Sequence, residues 1–207
     1  MDLRRTLLLF SFIFTGSLAI AQPKDRWTIQ DGGAIRWSIN DNIPHDDHLE
    51  MSGQQLSVVL RYGVDAQKRF HLNRSLVFPM LRMHPNKTQN NLKQRFDVNI
   101  PALVTVDDQT LLNEEVRDVT FNGIMRVESS FGYIYRRKEL KDAVQLTRVL
   151  YPSTNAAHYC EEYTFKNSSP NQITLRVPEW NVIYTTPEEA GVYGAYCIEA
   201  ALSKSGV

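Results

Sequence analysis

The sequence predicts an all-β protein, an antiparallel β-sandwich of roughly ten to fourteen strands. Three observations predict it. Apolar residues alternate with polar ones in many short runs, turn residues separate those runs, and no long stretch repeats its apolar residues with a helical period.

In chain order the runs are AIRWSI (34–39), LSVVLRYGV (56–64), FHLNRSLVF (70–78), FDVNIPALVTV (96–106), VRDVTFNGIMRV (116–127), GYIYRR (132–137), VQLTRVLY (144–151), HYCEEYTF (158–165) and ITLRVPEW (173–180). A period of two puts alternate side chains on opposite faces, the mark of half-buried antiparallel strands. Asp31-Gly32-Gly33, Asp107-Asp108, Asn122-Gly123, Asn167 to Asn171 and Glu189-Ala190-Gly191 supply the breaks. A turn near Leu111 to Glu115 is the best helix candidate, and the polar stretch from His45 to Glu50 reads as a solvated loop. A last strand is expected from Tyr196 to Leu202. Two segments, SVVL (57–60) and SLVF (75–78), are apolar on consecutive residues, which predicts a sheet covered on both faces. Trp27, Trp37 and Trp180 are expected in the core. No repeat of fixed period appears, which argues against a propeller or solenoid.

The first residues combine the charged segment Met-Asp-Leu-Arg-Arg, the apolar run TLLLFSFIFTGSLAI and the small-x-small site Ala19-Ile20-Ala21. That is the pattern of a secretory signal peptide over residues 1–21, leaving a single domain over residues 22–207 exported to the periplasm or beyond. The apolar run is shorter than the roughly 20 residues a membrane-spanning helix needs, so no membrane span is expected. Removing Arg4, Arg5 and Asp2 from 23 basic and 23 acidic residues leaves the mature chain within one charge of neutrality. Its short basic cluster, Arg136-Arg137-Lys138, is followed at once by Glu139. Such a balance excludes the concentrated positive surface that nucleic-acid binding requires. Cys160 and Cys197 lie in strand-like segments where oxidation is permitted, and their pairing stays open.

No GxSxG, HExxH, P-loop or dinucleotide-binding motif is present, so no cofactor is implied. His45-Asp46-Asp47-His48 with Glu50 offers metal-ligating residue types but no defined third and fourth ligand, and no metal is expected. Paired carboxylates occur at Glu114-Glu115, Glu161-Glu162 and Glu188-Glu189. Neighbours on a strand point to opposite faces, so these pairs form no glycosidase constellation and read as solubilising residues at strand edges.

The stretches EMSGQQLSVVLRYGVD (50–65), FHLNRSLVFPMLRMHPNKT (70–88) and TRVLYPSTNAAHYCEEYTFKNSSPNQITLRVPEW (147–180) resemble the N-terminal supersandwich domain of large exported six-hairpin, α-L-rhamnosidase-like glycosidases, mainly of Bacteroidetes. The resemblance covers most of residues 27–205, and its motifs are packing and turn residues. It implies a supersandwich-like fold preceding an (α/α)6 barrel that holds the catalytic carboxylates, so no catalytic residue is carried over. The sandwich would pack against the barrel and contribute a wall to its cleft, with Arg61, Asn73, Arg74 and Arg82 as candidate ligand-binding residues because they are too polar for their strands. Their alternative role is a surface cross-strand ladder. The second functional expectation is a free-standing carbohydrate-binding or adhesive sandwich.

Overall fold

The computed structural model describes residues 25–39, 43–85 and 90–204, and the expected signal peptide lies outside them. Fifteen strands are formed among the described residues, one more than the top of the expected range because several span only two residues.

The chain opens with β1 (Thr28–Ile29) and β2 (Ile35–Ser38), joined where Gly32 and Gly33 both take φ +84°. A meander follows: β3 (His45–Ser52), β4 (Ser57–Val64), β5 (Phe70–Arg82) and β6 (Asn91–Phe96) form a four-stranded antiparallel sheet. A short helix, α1 (Ile100–Leu103), leads to the small hairpin β7 (Thr105–Val106) and β8 (Gln109–Thr110). The chain then returns beside β2 as β9 (Leu112–Phe121) and continues through β10 (Met125–Tyr135), β11 (Lys138–Pro152) and β12 (Tyr159–Asn167). Together with β1 and β2 these complete a six-stranded antiparallel sheet ordered β1-β2-β9-β10-β11-β12. Next, β13 (Leu175–Arg176) pairs with β7, and β14 (Asn181–Thr185) pairs only with β15 (Cys197–Ala201).

The two large sheets face one another, and alternation decides what lies between them. On β4, Val58, Leu60, Tyr62 and Val64 are buried while Arg61 is exposed; on β5, Leu76 and Phe78 are buried. The facing sheet contributes Trp37, Val119, Met125, Val127 and Leu150 to the same core. A second cluster, built from Val106, Phe131, Tyr133, Val144 and Leu146, fills the other end under Ile173 and Leu175.

Several expectations are corrected. Residues 45–50 are strand, not loop. His45 and Asp47 lie on the face of Leu49 and Met51, and Asp46 and His48 lie on the other, so polar residues at both parities hid the period. Residues 111–115 are not helical, because β9 begins at Leu112. The helix forms instead at Ile100–Leu103, within a run read as one strand, where Pro101 sits in the first turn and removes a ladder donor. The outer face of the four-stranded sheet is not apolar. SVVL and SLVF place only Val59 and Val77 outward, each half-buried, among Ser57, Arg61, Asn73 and Ser75. Trp37 is fully buried and Trp27 packs edge-on against it, with ring centroids 5.9 Å apart. Both thiols are free: β12 pairs with β11 and β15 with β14, so Cys160 and Cys197 are not on neighbouring strands.

The β10–β11 turn holds Arg136 at φ 48° and Arg137 at φ 65°, the left-handed region in which side chains other than Gly, Asn and Asp are strained. Both central residues of a two-residue hairpin turn of this kind favour Asn-Gly. Replacing Arg136-Arg137 by Asn-Gly is therefore expected to stabilise the chain by about 1 kcal/mol in urea unfolding. A loss of stability would show that the arginine contacts outweigh the strain.

Candidate functional site

The four predicted ligand-binding residues fall in three places. Antiparallel register sets Arg61 of β4 directly opposite Asn73 of β5, and on its other side opposite His48 of β3. All three are exposed, forming one cross-strand row on the outer face of the four-stranded sheet. Arg74, one residue on from Asn73, turns to the opposite face and is only 5% exposed, so it is not a wall residue. Arg82 stands at the far end of β5. Its carbonyl accepts hydrogen bonds from the Tyr196 hydroxyl at 2.7 Å and the Val192 amide at 3.0 Å, which joins the sheet to the segment before β15.

Beside the Arg61 row, register aligns Asp46, Gly63 and His71. Asp46 Oδ1 and His71 Nε2 meet at 2.6 Å above the glycine. A Cβ at position 63 would stand 2.0 Å from that carboxylate oxygen and 2.4 Å from the imidazole, so the pair needs the empty space. Glycine in a strand interior weakens it by roughly 0.5–1 kcal/mol relative to alanine, and here the vacancy serves a bond between two exposed side chains. The two rows together line an open groove of about 530 Å³, with Val59 on its floor. Acids stand on the β3 side (Asp46 and Glu50) and bases on the β6 side, where Arg95 and Lys93 lie opposite Ser75 and Val77. Such a surface can bind a polar ligand through many hydrogen bonds. Among the described residues no group of three or more His, Cys, Asp or Glu side chains is placed to hold a metal ion.

The second polar assembly is buried between the sheets. Arg74 Nε and Nη2 grip both carboxylate oxygens of Glu161 on β12, the latter contact at 2.8 Å, and Nη1 donates to the Val98 carbonyl at 2.9 Å. Tyr163 donates to Glu161 Oε2 at 2.5 Å and accepts from Arg74 Nη2 at 3.1 Å. Burial alone would lower the Arg74 pKa, but the hydrogen bonds and charge of Glu161 reverse this and hold it above its ordinary value. Burial, reinforced by the Glu161 charge, pushes the phenols of Tyr159 and Tyr163 upward. Alongside, Arg148 Nη1 donates to Ser129 Oγ at 2.9 Å and its Nη2 lies 2.6 Å from Glu114 Oε1, an approach of charge to charge off the hydrogen-bonding angle. Its guanidinium lies 5.2 Å from the Phe70 ring centroid. A cleft of about 170 Å³ opens beside Arg74 and Arg148, below Asn99 and Pro101.

Glu161 and Glu114 are thus structural partners of arginines and not solubilising residues at strand edges. Alternation was the available signal: Arg148 sits between Leu146 and Leu150 at core parity, and Glu161 between Tyr159 and Tyr163. Glu162 points away, as adjacent strand residues must. It accepts from the Tyr151 hydroxyl at 2.5 Å, and this bond pushes that phenol up to about 12.

Removing one partner of a buried ion pair leaves the other charge desolvated. Glu161→Gln is expected to cost about 3 kcal/mol in urea unfolding, and Arg74→Met with Glu161→Leu together less than that. A neutral Glu161→Gln variant would refute the assignment. Gly63→Ala tests the outer row, because its Cβ meets only side-chain ends. Stability should change by less than about 1 kcal/mol while the His71 imidazole signals shift as the Asp46 bond breaks. Gly53→Ala, whose Cβ would lie 1.9 Å from the Ser153 carbonyl oxygen, must displace backbone and should cost more, about 1–3 kcal/mol. Equal costs for the two would defeat this reading.

Comparison of the chain with protein-family models, with curated proteins and with solved structures finds no match.

Proposed function

We propose that this chain is the non-catalytic β-sandwich module of an exported glycoside hydrolase acting on complex glycans, and that it packs against an (α/α)6 catalytic barrel. The observation that carries the reading is the polar platform on the outer face of the four-stranded sheet. There His48, Arg61 and Asn73 stand in one row beside the Asp46–His71 pair. Saccharide hydroxyls both donate and accept, and a plane bearing guanidinium and amide donors next to a carboxylate acceptor answers both demands. Two sheltered carboxylates, Glu161 and Glu114, are held by arginines, which supports a structural use for them. The amino-terminal pattern supports export, and the quoted resemblance supports the glycosidase context.

Support for the barrel comes from the β14–β15 ribbon. A two-stranded ribbon alone is marginal in water. This one leaves Val182, Ile183 and Tyr184 exposed, Ile183 at 62%, with Tyr193 nearby in the chain also exposed. Val182 and Tyr184 project from one face of the ribbon and Ile183 from the other, so apolar side chains are exposed on both faces, which supports a covering partner. A free-standing carbohydrate-binding or adhesive sandwich is the second reading, favoured by the same platform, and it differs in leaving the ribbon uncovered.

The mature chain is expected to be retained on a glycan array and to hydrolyse no aryl-glycoside on its own. Retention on no saccharide, or turnover that vanishes when one of its own carboxylates is changed, would overturn the proposal. Sedimentation with an (α/α)6 barrel encoded beside it separates the two readings, co-sedimentation favouring the module.

A further inference from the structure

The platform has a charge pattern that narrows its ligand. On its outer face Arg61 is exposed at the centre of the row and forms no ion pair among the described residues. Five arginines of the two large sheets do: Arg36 with Asp118, Arg74 with Glu161, Arg117 with Asp142, Arg126 with Glu128 and Arg148 with Glu114. Arg82 and Arg95, like Arg61, pair with no carboxylate among the described residues, but of these three Arg61 is the one that lines the groove. His48 stands 3.9 Å from Asp47, and His71 is held by Asp46, so both imidazoles have a carboxylate at hand while the central guanidinium has none.

We infer that the groove across β3, β4 and β5 binds a saccharide bearing a carboxylate, a uronic acid residue, with Arg61 taking the carboxylate and the Asp46–His71 pair taking ring hydroxyls. The inference rests on the glycan-binding reading above. A planar guanidinium fork matches a planar carboxylate in a bidentate pair, which a single ammonium cannot do. Strand spacing fixes the scale: His48, Arg61 and Asn73 lie on three adjacent strands and span roughly 10 Å, and the Asp46–His71 row is displaced along them by roughly 7 Å. A pyranose carrying its acid group at one end and its hydroxyls at the other fits that offset. Register puts Arg95 and then Lys93 in the rows beyond Arg61, on the side away from the Asp46–His71 pair, so charge along the strands favours the carboxylate at the Arg61 end, with Glu50 on β3 opposing it in part. Gly63 contributes by keeping the acid–imidazole pair low over the central strand, so that the floor between the two rows stays open. One fork with an amide beside it suits a carboxylate better than a sulfate ester, whose tetrahedral oxygens call for donors from several directions.

The test is titration of the full mature chain with trigalacturonate, with a neutral galactose trimer and with a sulfated galactose trimer, followed by calorimetry and by the side-chain NMR signals of Arg61 and Asn73. Trigalacturonate is expected to bind most tightly, to shift both signals and to weaken with added salt. Arg61→Ala should weaken it by at least about tenfold, and Arg61→Lys should recover only part of the loss. Arg61 is exposed, so the variants should fold, and the wild-type signal shifts stand as evidence independent of them. Equal binding of the neutral trimer, insensitive to Arg61, would overturn this inference and leave the glycan-binding reading standing. Tighter binding of the sulfated trimer would overturn the choice of carboxylate. Binding of none of the three, together with no retention on a glycan array, would overturn both.

Discussion

The sandwich is held to one arrangement by a buried ion pair between its two sheets. Arg74 projects inward from the four-stranded sheet and Glu161 inward from the edge strand of the six-stranded sheet, and each is almost fully removed from water. Neither charge is tolerable alone, since an unpaired ion in a protein interior costs several kcal/mol. The pair can form only if β5 and β12 face each other in one register. Slipping β5 by one residue in either direction would exchange Arg74 for Asn73 or Ser75, neither of which can neutralise Glu161. That is a stronger condition than apolar contact sets, because leucines and valines tolerate a sliding interface far better than a bidentate guanidinium does. Against well-packed apolar residues the pair adds little net stability, so its value is in specifying which face of which strand turns inward.

The same pair explains why the interior is divided. Two apolar clusters lie along the six-stranded sheet, one behind Trp37 and Leu60 and one behind Tyr133 and Leu146. Arg74, Glu161, Tyr163, Arg148, Ser129 and Glu114 form the polar layer at the mouth near α1. Each arginine there is neutralised by a glutamate and further bonded, Arg74 to the Val98 carbonyl and Arg148 to Ser129. A buried network of this kind is stable only when its members are nearly all satisfied. The cleft beside it is therefore electrically close to balanced, and a charged ligand gains little by entering. The platform outside differs in this respect, because its central guanidinium has no carboxylate partner among the described residues.

Much of the fold was legible in the sequence because period-two alternation survives wherever one face is apolar. It placed β4, β5, β9 to β12 and the turns at Gly32-Gly33, Asp107-Asp108 and Asn122-Gly123. It failed where both parities are polar, as in His45-Asp46-Asp47-His48, and where a proline interrupts an apolar run, as at Pro101. The candidate site was half legible. Arg61 and Asn73 stood out as polar residues in apolar strands, but so did Arg74, and hydrophobicity alone could not separate them. Parity could have done so, because Arg74 keeps step with Leu76 and Phe78 while Asn73 keeps step with Ser75. What parity cannot supply is the partner. Glu161 lies 87 residues further along the chain, and only the folding of β12 onto the open edge of β11 brings it to Arg74. The meeting of Asp46 and His71 over Gly63 was hidden for the same reason, since it is a property of register across three strands.

Inner and outer assemblies are two consequences of one strand. On β5 the consecutive residues Asn73 and Arg74 face opposite ways, so the register that delivers Arg74 to Glu161 also delivers Asn73 to its place opposite Arg61. The buried network thereby fixes the outer row without touching it. Rigidity matters there, because a saccharide offers few apolar contacts, and its hydrogen bonds yield net affinity only if the protein side chains need little reordering on binding. Exposed polar side chains on a loop would lose much of their rotamer freedom when the ligand arrives. On the middle strands of a four-stranded sheet, with the backbone pinned from below and one pair already locked over a glycine, less of that freedom remains to be lost. On the proposed reading, the buried arginine would therefore contribute to saccharide binding through the backbone it anchors.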